Sequence, residues 1–391
     1  MKGARQARLA VLTTGRQDYS ILRSTLCLLR DDRRFDLLLW VGGMHLAPRH
    51  GLTVDAIIGD RLPITARLAF LAEPEDPVAD AGRALAMVAA ALASGKPDAL
   101  LLLGDRTETC AAALAATMHG TPIVHLHGGE ESEGAIDNSL RHAITKMSHL
   151  HLVSHESHAR RVRQMGEPDA SVRVVGAAGL DNLYRDDLPD RAALERRLGG
   201  LLTDPIVVVT LHPTTLGGSA EEEANELAAA MEGLVATWVI TQPNADRGGD
   251  VIRQMWTRWA EGRPRTFVVD ALGERNFWGL LKIASAMLGN SSAGIIEGPA
   301  AGLPVINVGD RQAGRLRTPH VVDVPFERDS IAQALGGALM PKRRQELAGV
   351  TSPFPSGAAA PRIIEALSAW DIPITPRKRF VDRPTTEGVA Q

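Results

Sequence analysis

The sequence predicts an α/β protein of two doubly wound, Rossmann-like domains, with the ligand in the interdomain cleft. Three observations predict it. Short apolar runs alternate with longer helix-compatible segments, the rhythm of a parallel sheet wrapped by helices. That rhythm pauses at a charged stretch, 186–197, and restarts after it. The chain is also 391 residues long, more than one ordinary hydrophobic core organises.

In the first half the strand candidates are 9–12, 37–41, 99–103, 123–126 and 150–153, with helix-compatible segments at 81–93 and 108–118. A helical pattern of Ile21, Leu22, Thr25, Leu26 and Leu29 follows the first strand. The second half offers strands at 206–210, 237–241, 266–269, 287–288 and 305–308. The expected domains are therefore 1–185 and 186–376. A charged, proline-bearing tail at 377–391 lacks apolar periodicity and is expected to be disordered.

Composition narrows the function. An apolar content of 45% is that of a soluble globular protein. A net charge of −3 and a pI near 6.5 supply no basic field for nucleic acid, so any phosphate must be held by local residues. Cys27 and Cys110 lie far apart in apolar, helix-like surroundings, which fits reduced thiols and a cytoplasmic protein. No stretch approaches the ~20 apolar residues of a membrane span, and the N-terminus carries no cleavage pattern.

Chemistry concentrates at 125–142, where four carboxylates, three imidazoles and an arginine surround the pair Gly128-Gly129. This cluster follows an apolar strand, and open α/β sheets bind ligands at the carboxyl ends of their strands. Thr14-Gly15-Arg16-Gln17-Asp18-Tyr19-Ser20 and Gly104-Asp105-Arg106 stand at equivalent positions. A carboxylate beside a guanidinium can act as base and phosphate clamp, or the two can simply pair. In the second half, Gly289-Asn290-Ser291-Ser292 opens a helix before Glu297, with Gly298-Pro299 ending it. Backbone N–H groups and serine hydroxyls there suit a diphosphate, although an N-cap serine explains Ser291 or Ser292 equally well. His212 and Asn244 follow two further strands. His125, His127 and Glu130 form no recognised metal-ligand pattern, so no metal is expected.

Together these motifs resemble the hydrolysing UDP-N-acetylglucosamine 2-epimerases of sialic and legionaminic acid biosynthesis. The resemblance is carried by Gly15-Arg16-Gln17-Asp18-Tyr19, Gly104-Asp105-Arg106, Gly128-Gly129-Glu130, Ile136-Asp137-Asn138-Ser139-Leu140-Arg141-His142, His212-Pro213, Pro243-Asn244-Ala245-Asp246, Asn290-Ser291-Ser292 and Gly309-Asp310-Arg311-Gln312-Ala313-Gly314-Arg315. It implies a glycosyltransferase-B-like fold with a UDP-sugar held mainly by the second domain. Arg16, Arg106, His212, Ser291, Ser292 and Arg315 would contact phosphates, Glu297 the ribose, and Asn244 the sugar or its phosphate. Asp18 and Ser20 would also face the UDP-sugar. Asp105 and Asp137 would be the acid/base carboxylates, with Arg141 orienting the loop. The implied reaction expels UDP to give a 2-acetamidoglucal and adds water to release the manno sugar, without a redox cofactor. The expected partners are the UDP-sugar and further copies of the chain, as a dimer or tetramer, with neither nucleic acid nor membrane. One position departs: several family members carry a catalytic glutamate directly before the Gly-Gly pair, where this chain has His127. Either His127 replaces it, or Glu130 or Glu133 does.

Overall fold

The computed structural model describes residues 5–74, 76–132, 136–214, 219–243, 248–270, 272–350, 352–354, 357–373 and 376–383. Two parallel sheets organise the chain. The first comprises β1 (Ala7–Thr13), β2 (Phe35–Gly42), β3 (Ile64–Leu68), β4 (Ala99–Leu103), β5 (Ile123–Leu126), β6 (Leu150–Val153) and β7 (Val172–Val174), in spatial order 3-2-1-4-5-6-7. The second comprises β8 (Ile206–Thr210), β9 (Thr237–Thr241), β10 (Thr266–Val269), β11 (Ala286–Gly289), β12 (Val305–Val308) and β13 (Val321–Val324), in order 10-9-8-11-12-13. In both, the order reverses beside the first strand, which creates the switch point where doubly wound sheets hold ligands.

Side-chain alternation explains why each sheet is covered on both faces. Leu9 and Val11 enter one core while Ala10 and Leu12 enter the opposite one. Val207 and Val209 separate from Ile206 and Val208 in the same way. The central strands accordingly read as largely apolar runs, and every residue of β4 is buried. β3, β7 and β13 have no counterpart among the strand candidates. Each is short, partly exposed and at a sheet edge, so they lack the apolar run that marks a central strand.

Three expectations change. The last helix, Ala359–Ser368, does not join the second core: Ala359, Ile363, Ile364 and Leu367 pack with Leu22, Leu26 and Leu29 of the first. Its start is tied to the interdomain connection, because the Asp181 carboxylate accepts from the N–H groups of Ala359 (3.0 Å) and Ala360 (2.7 Å). The tail is not structureless throughout, since Lys378, Phe380 and Arg383 dock on the first domain. Finally, the helix Pro77–Gly95 is long and apolar enough, by composition, to cross a membrane. In this fold it lays Ala84, Val88, Ala91 and Leu92 against the first sheet.

Candidate active site

The carboxyl ends of both sheets face one cavity, lined among others by Asp18, Asp105, Arg106, His127, Glu130, Asp137, Arg141, His212, Ser291, Ser292, Glu297 and Arg315. Most of the residues singled out in the sequence thus meet in one place. Arg16 stands in an adjoining pocket that shares Gln17 with the main cavity. Its guanidinium donates to the backbone carbonyls of Asp270 and Gln242 across the cleft. Ser20 lies outside the cavity, and its carbonyl accepts from Asn182 Nδ2 (2.6 Å). Asn244 and Glu133 lie outside the described residues.

The first-domain wall is built from β4 and β5. Gly104 turns the chain after β4 with φ +73°, presenting Asp105 and Arg106 at the cavity edge. The Asp105 carboxylate pairs with Arg141, a side chain 2% exposed. Arg141 also donates to the Glu130 carbonyl (2.9 Å) and to Ser132 Oγ (3.2 Å), both in the loop after β5. Burial first, then the guanidiniums of Arg315 and Arg161, disfavour its charge. The acceptors arranged around it, with the Asp105 carboxylate foremost, compensate.

His127 follows β5 in the left-handed region at φ +66°, a conformation uncommon for a residue with a Cβ. Its backbone N–H still donates to the Leu152 carbonyl of β6 (2.9 Å), while its ring turns into the cavity. Nδ1 donates to Glu130 Oε1 (2.7 Å), leaving Nε2 buried without a hydrogen-bond partner. In a neutral ring that arrangement makes Nε2 the basic nitrogen. Glu130 also accepts from Ser154 Oγ (2.8 Å) and, across the cleft, from Arg315 Nη1 (3.0 Å). Burial works against its ionisation, but His127 and Arg315 outweigh that and hold it well below the usual carboxylate range. Gly129 permits the turn: a Cβ there would lie 2.5 Å from the His158 carbonyl oxygen, at φ +77°. His125 has a structural part instead. It is fully buried between Thr145 Oγ1 (3.1 Å) and the Gly104 carbonyl (2.8 Å), and burial lowers its pKa to about 3.

Asp137 begins the helix Asp137–Met147 and stands 4.0 Å from Arg311 of the second domain. Arg311, within the 309–315 motif, and the scaffold role of Asn290 are not visible from spacing along the chain. Gly289 brings β11 so close to β8 that a Cβ would fall 2.0 Å from the Thr210 carbonyl oxygen. Asn290 then binds the backbone of His212 through both ends of its amide (2.8 Å each). This places His212 against the cavity, where burial first, then Arg311, Arg16 and Arg106, keep the imidazole neutral by pushing its pKa well down. A neutral ring among three guanidiniums is a site for a multiply charged anion.

The last wall differs from expectation. Ser291 is an N-cap, accepting from the Ala293 N–H (3.3 Å), but only a 3₁₀ turn, Ser292–Gly294, follows it. Gly298 and Pro299 lie inside a separate short helix, Glu297–Ala300, where proline in a first turn sacrifices no helical hydrogen bond. Glu297 Oε2 is buried without a partner, and burial raises this carboxyl to about 7. Asp18 lines the cavity, yet it also caps its own loop by accepting from Thr14 N–H (2.9 Å) and Oγ1 (2.6 Å).

Residues 28–368 match the family model described as UDP-N-acetylglucosamine 2-epimerase. Over 322 residues the chain is 34% identical to the GDP/UDP-N,N'-diacetylbacillosamine 2-epimerase (hydrolyzing) of Campylobacter jejuni, covering 81% of this chain and 84% of that protein. It is 33% identical over 334 residues to the polysialic acid biosynthesis protein P7 of Escherichia coli, covering 84% and 85%. In fold it is similar to the UDP-GlcNAc 2-epimerase from Neisseria meningitidis bound to UDP-GlcNAc, with a TM-score of 0.78 at 16% identity over 92% of this chain and 99% of that one.

Proposed function

The chain belongs to the UDP-N-acetylglucosamine 2-epimerase family, and from that premise we propose that it is a hydrolysing epimerase converting UDP-N-acetylglucosamine and water to UDP and N-acetylmannosamine. The observation that carries this reading is the unpartnered Nε2 of His127, oriented by Glu130 in a cavity that also holds Asp105, Asp137 and a cluster of guanidiniums.

Inversion at C2 needs a proton removed from one face of the sugar and another delivered to the opposite face. In the first step a base takes the C2 proton, the C–H pair becomes the C1=C2 bond, and the C1–O bond breaks with its electrons leaving on UDP. Arg106, Arg311, Arg315 and His212 stabilise the charge developing on the diphosphate. In the second step water adds its oxygen to C1, a base takes the water proton, and an acid protonates C2 from the other face. Asp105, Asp137 and His127 are the groups assigned to these transfers. Ser291, Ser292 and Glu297 are assigned to the nucleotide. The scheme uses neither metal nor redox cofactor.

A 2,4-diacetamido-2,4,6-trideoxy sugar on the same nucleotide is the second reading, favoured by the 34% identity to the Campylobacter protein. Each UDP-sugar, incubated in oxygen-18 water and followed by mass spectrometry, tests both. The label is expected at C1 of a released free sugar. An intact, epimerised UDP-sugar would instead make the enzyme non-hydrolysing, and label-free UDP-sugar with no turnover of either substrate would remove the epimerase assignment.

A further inference from the structure

After leaving the second domain, the chain returns to the first and sinks one lysine into it. Lys378 Nζ donates to the carbonyls of Thr145 (3.3 Å), Lys146 (2.9 Å) and Ser148, and pairs with Glu167 Oε2 (2.8 Å). Glu167 is 1% exposed and also receives Lys146 Nζ (2.6 Å) and His151 Nε2 (3.0 Å), so its pKa is held down at about 2 despite burial. Burying an ammonium is costly, and desolvation lowers the Lys378 pKa. Four oxygens arranged to receive it mark a designed seat. Beside it the Phe380 ring, itself largely exposed, carries Lys146 Nζ 5.0 Å from its centroid and packs on Gly166, where a Cβ would fall 2.4 Å from the ring. The Val381 N–H completes the dock on the Gly166 carbonyl (2.9 Å).

What this seat holds is the end of the helix Asp137–Met147. A cation there supplies a donor to the Lys146 carbonyl of the last turn, adds to the Thr145 carbonyl that also accepts the Ser148 N–H (3.1 Å), and opposes the negative end of the helix dipole. The same helix begins with Asp137 and carries Arg141, which pairs with Asp105. One turn past Arg141, the Thr145 hydroxyl meets His125 (3.1 Å), whose other nitrogen meets the Gly104 carbonyl (2.8 Å) beside Asp105. Both carboxylates are therefore placed by one helix, and the tail clamps its far end.

We propose that Lys378 is a positioning residue for Asp105 and Asp137, with residues 376–383 acting as a strap on the helix that carries the chemistry. What those carboxylates do rests on the epimerase reading; the mechanical link does not. The test compares Lys378→Met, Lys378→Arg and Phe380→Ala with the full-length protein, measuring kcat, KM, UDP affinity by calorimetry and amide hydrogen exchange. Lys378→Met is expected to lower kcat about 10- to 100-fold, the scale of a small misplacement of reacting groups. KM and UDP affinity should change by no more than about threefold, because most of the groups assigned to the nucleotide, His212, Ser291, Ser292, Glu297, Arg311 and Arg315, belong to the other domain and only Arg106 lies in the segment that loosens. Exchange should accelerate in 137–147 and 104–108, with Lys378→Arg recovering much of the loss and Phe380→Ala intermediate. Unchanged kcat per UDP-binding site overturns the proposal, as does unchanged exchange in the helix. A uniform loss of protection, with kcat and UDP binding falling together, also overturns it, because that is a stability role. Should Lys378→Met fail to fold, Phe380→Ala, which strands no buried charge, decides by the same criteria. A wild-type protein inactive on both UDP-sugars would sink the epimerase reading, and hydrogen exchange alone would then decide the strap.

Discussion

Asp105, Asp137 and Glu297 are all carboxylates on one cavity, yet their surroundings separate their work. Asp105 is tied to a buried guanidinium and Asp137 faces Arg311, while Glu297 has an oxygen with no partner. Asp105→Asn and Asp137→Asn keep the shape and remove the base, so each is expected to cut kcat by about 10²- to 10⁴-fold at nearly unchanged UDP affinity. Asp105→Asn should in addition lower the melting temperature, because Arg141 is left buried without its anion. Turnover near wild type in either variant would take that residue off the acid/base list. Glu297 gives a test with the opposite character. Its carboxyl is raised from 4.5 to about 7 in the folded state, so between those values the native protein binds more protons than the unfolded chain. Stability contributed by Glu297 therefore falls as pH rises through that window. Glu297→Gln is expected to raise the melting temperature by a few degrees at about pH 8 and to leave it unchanged at about pH 4. A gain of equal size at both pH values would show that the effect is not titration of this group.

At the scale of elements, the strands that carry the site were legible because they are central. β4, β5, β6, β8, β9 and β12 have the bounds that their apolar runs mark, since every residue of each is buried, and even the polar ones among them, such as His125 and Asn307, sit within the run; β10 has its expected bounds although it is a half-buried edge strand. β3, β7 and β13 were not legible, because a half-exposed strand such as Val321–Val324 gains its identity from pairing with β12 and not from its own composition. The same reason hides Arg311, Asn290 and Lys378. Their roles depend on what a distant segment brings to them, and spacing along the chain carries no trace of it. The amphipathic helix Ala359–Ser368 is the clearest case: its apolar face is readable, but its partner is not. Ile363 is fully buried in the first core although it follows the second domain in sequence. Ile363→Ala is expected to destabilise by about 2–5 kcal/mol, the range for deleting a fully buried aliphatic side chain. If chemical denaturation resolves two transitions, the loss should fall on the transition reporting the first domain, and a loss confined to the second would contradict this packing.

At the scale of the whole molecule, the two domains meet through charge. Arg315 reaches from the second domain to Glu130 and Ser132 of the first (3.0 Å each), Arg311 stands 4.0 Å from Asp137, and Arg16 reaches back to the carbonyls of Gln242 and Asp270. Exposed ion pairs would contribute little to closure, about 0–1 kcal/mol each. The Arg315–Glu130 pair is different, with side chains only 11% and 6% exposed, so removing one partner leaves a buried charge behind. These are also the cations that a diphosphate would claim. On the proposed function, a diphosphate in the cavity would compete with Glu130 and Asp137 for Arg315 and Arg311, and the cleft would open as those contacts are given up. Arg315→Met tests both halves of that argument. Without nucleotide, the variant is expected to show a larger radius of gyration by small-angle scattering than the wild type, because the contact closing the cleft is gone. UDP affinity should fall by about tenfold, equivalent to ~1.4 kcal/mol, because a phosphate partner is gone as well. An unchanged radius with weakened binding would assign Arg315 to the nucleotide alone, and an enlarged radius with unchanged binding would assign it to closure alone. If neither changes, the cleft is held shut by the packing of Ala178–Tyr184 and the last helix, and Arg315 has no part in either process.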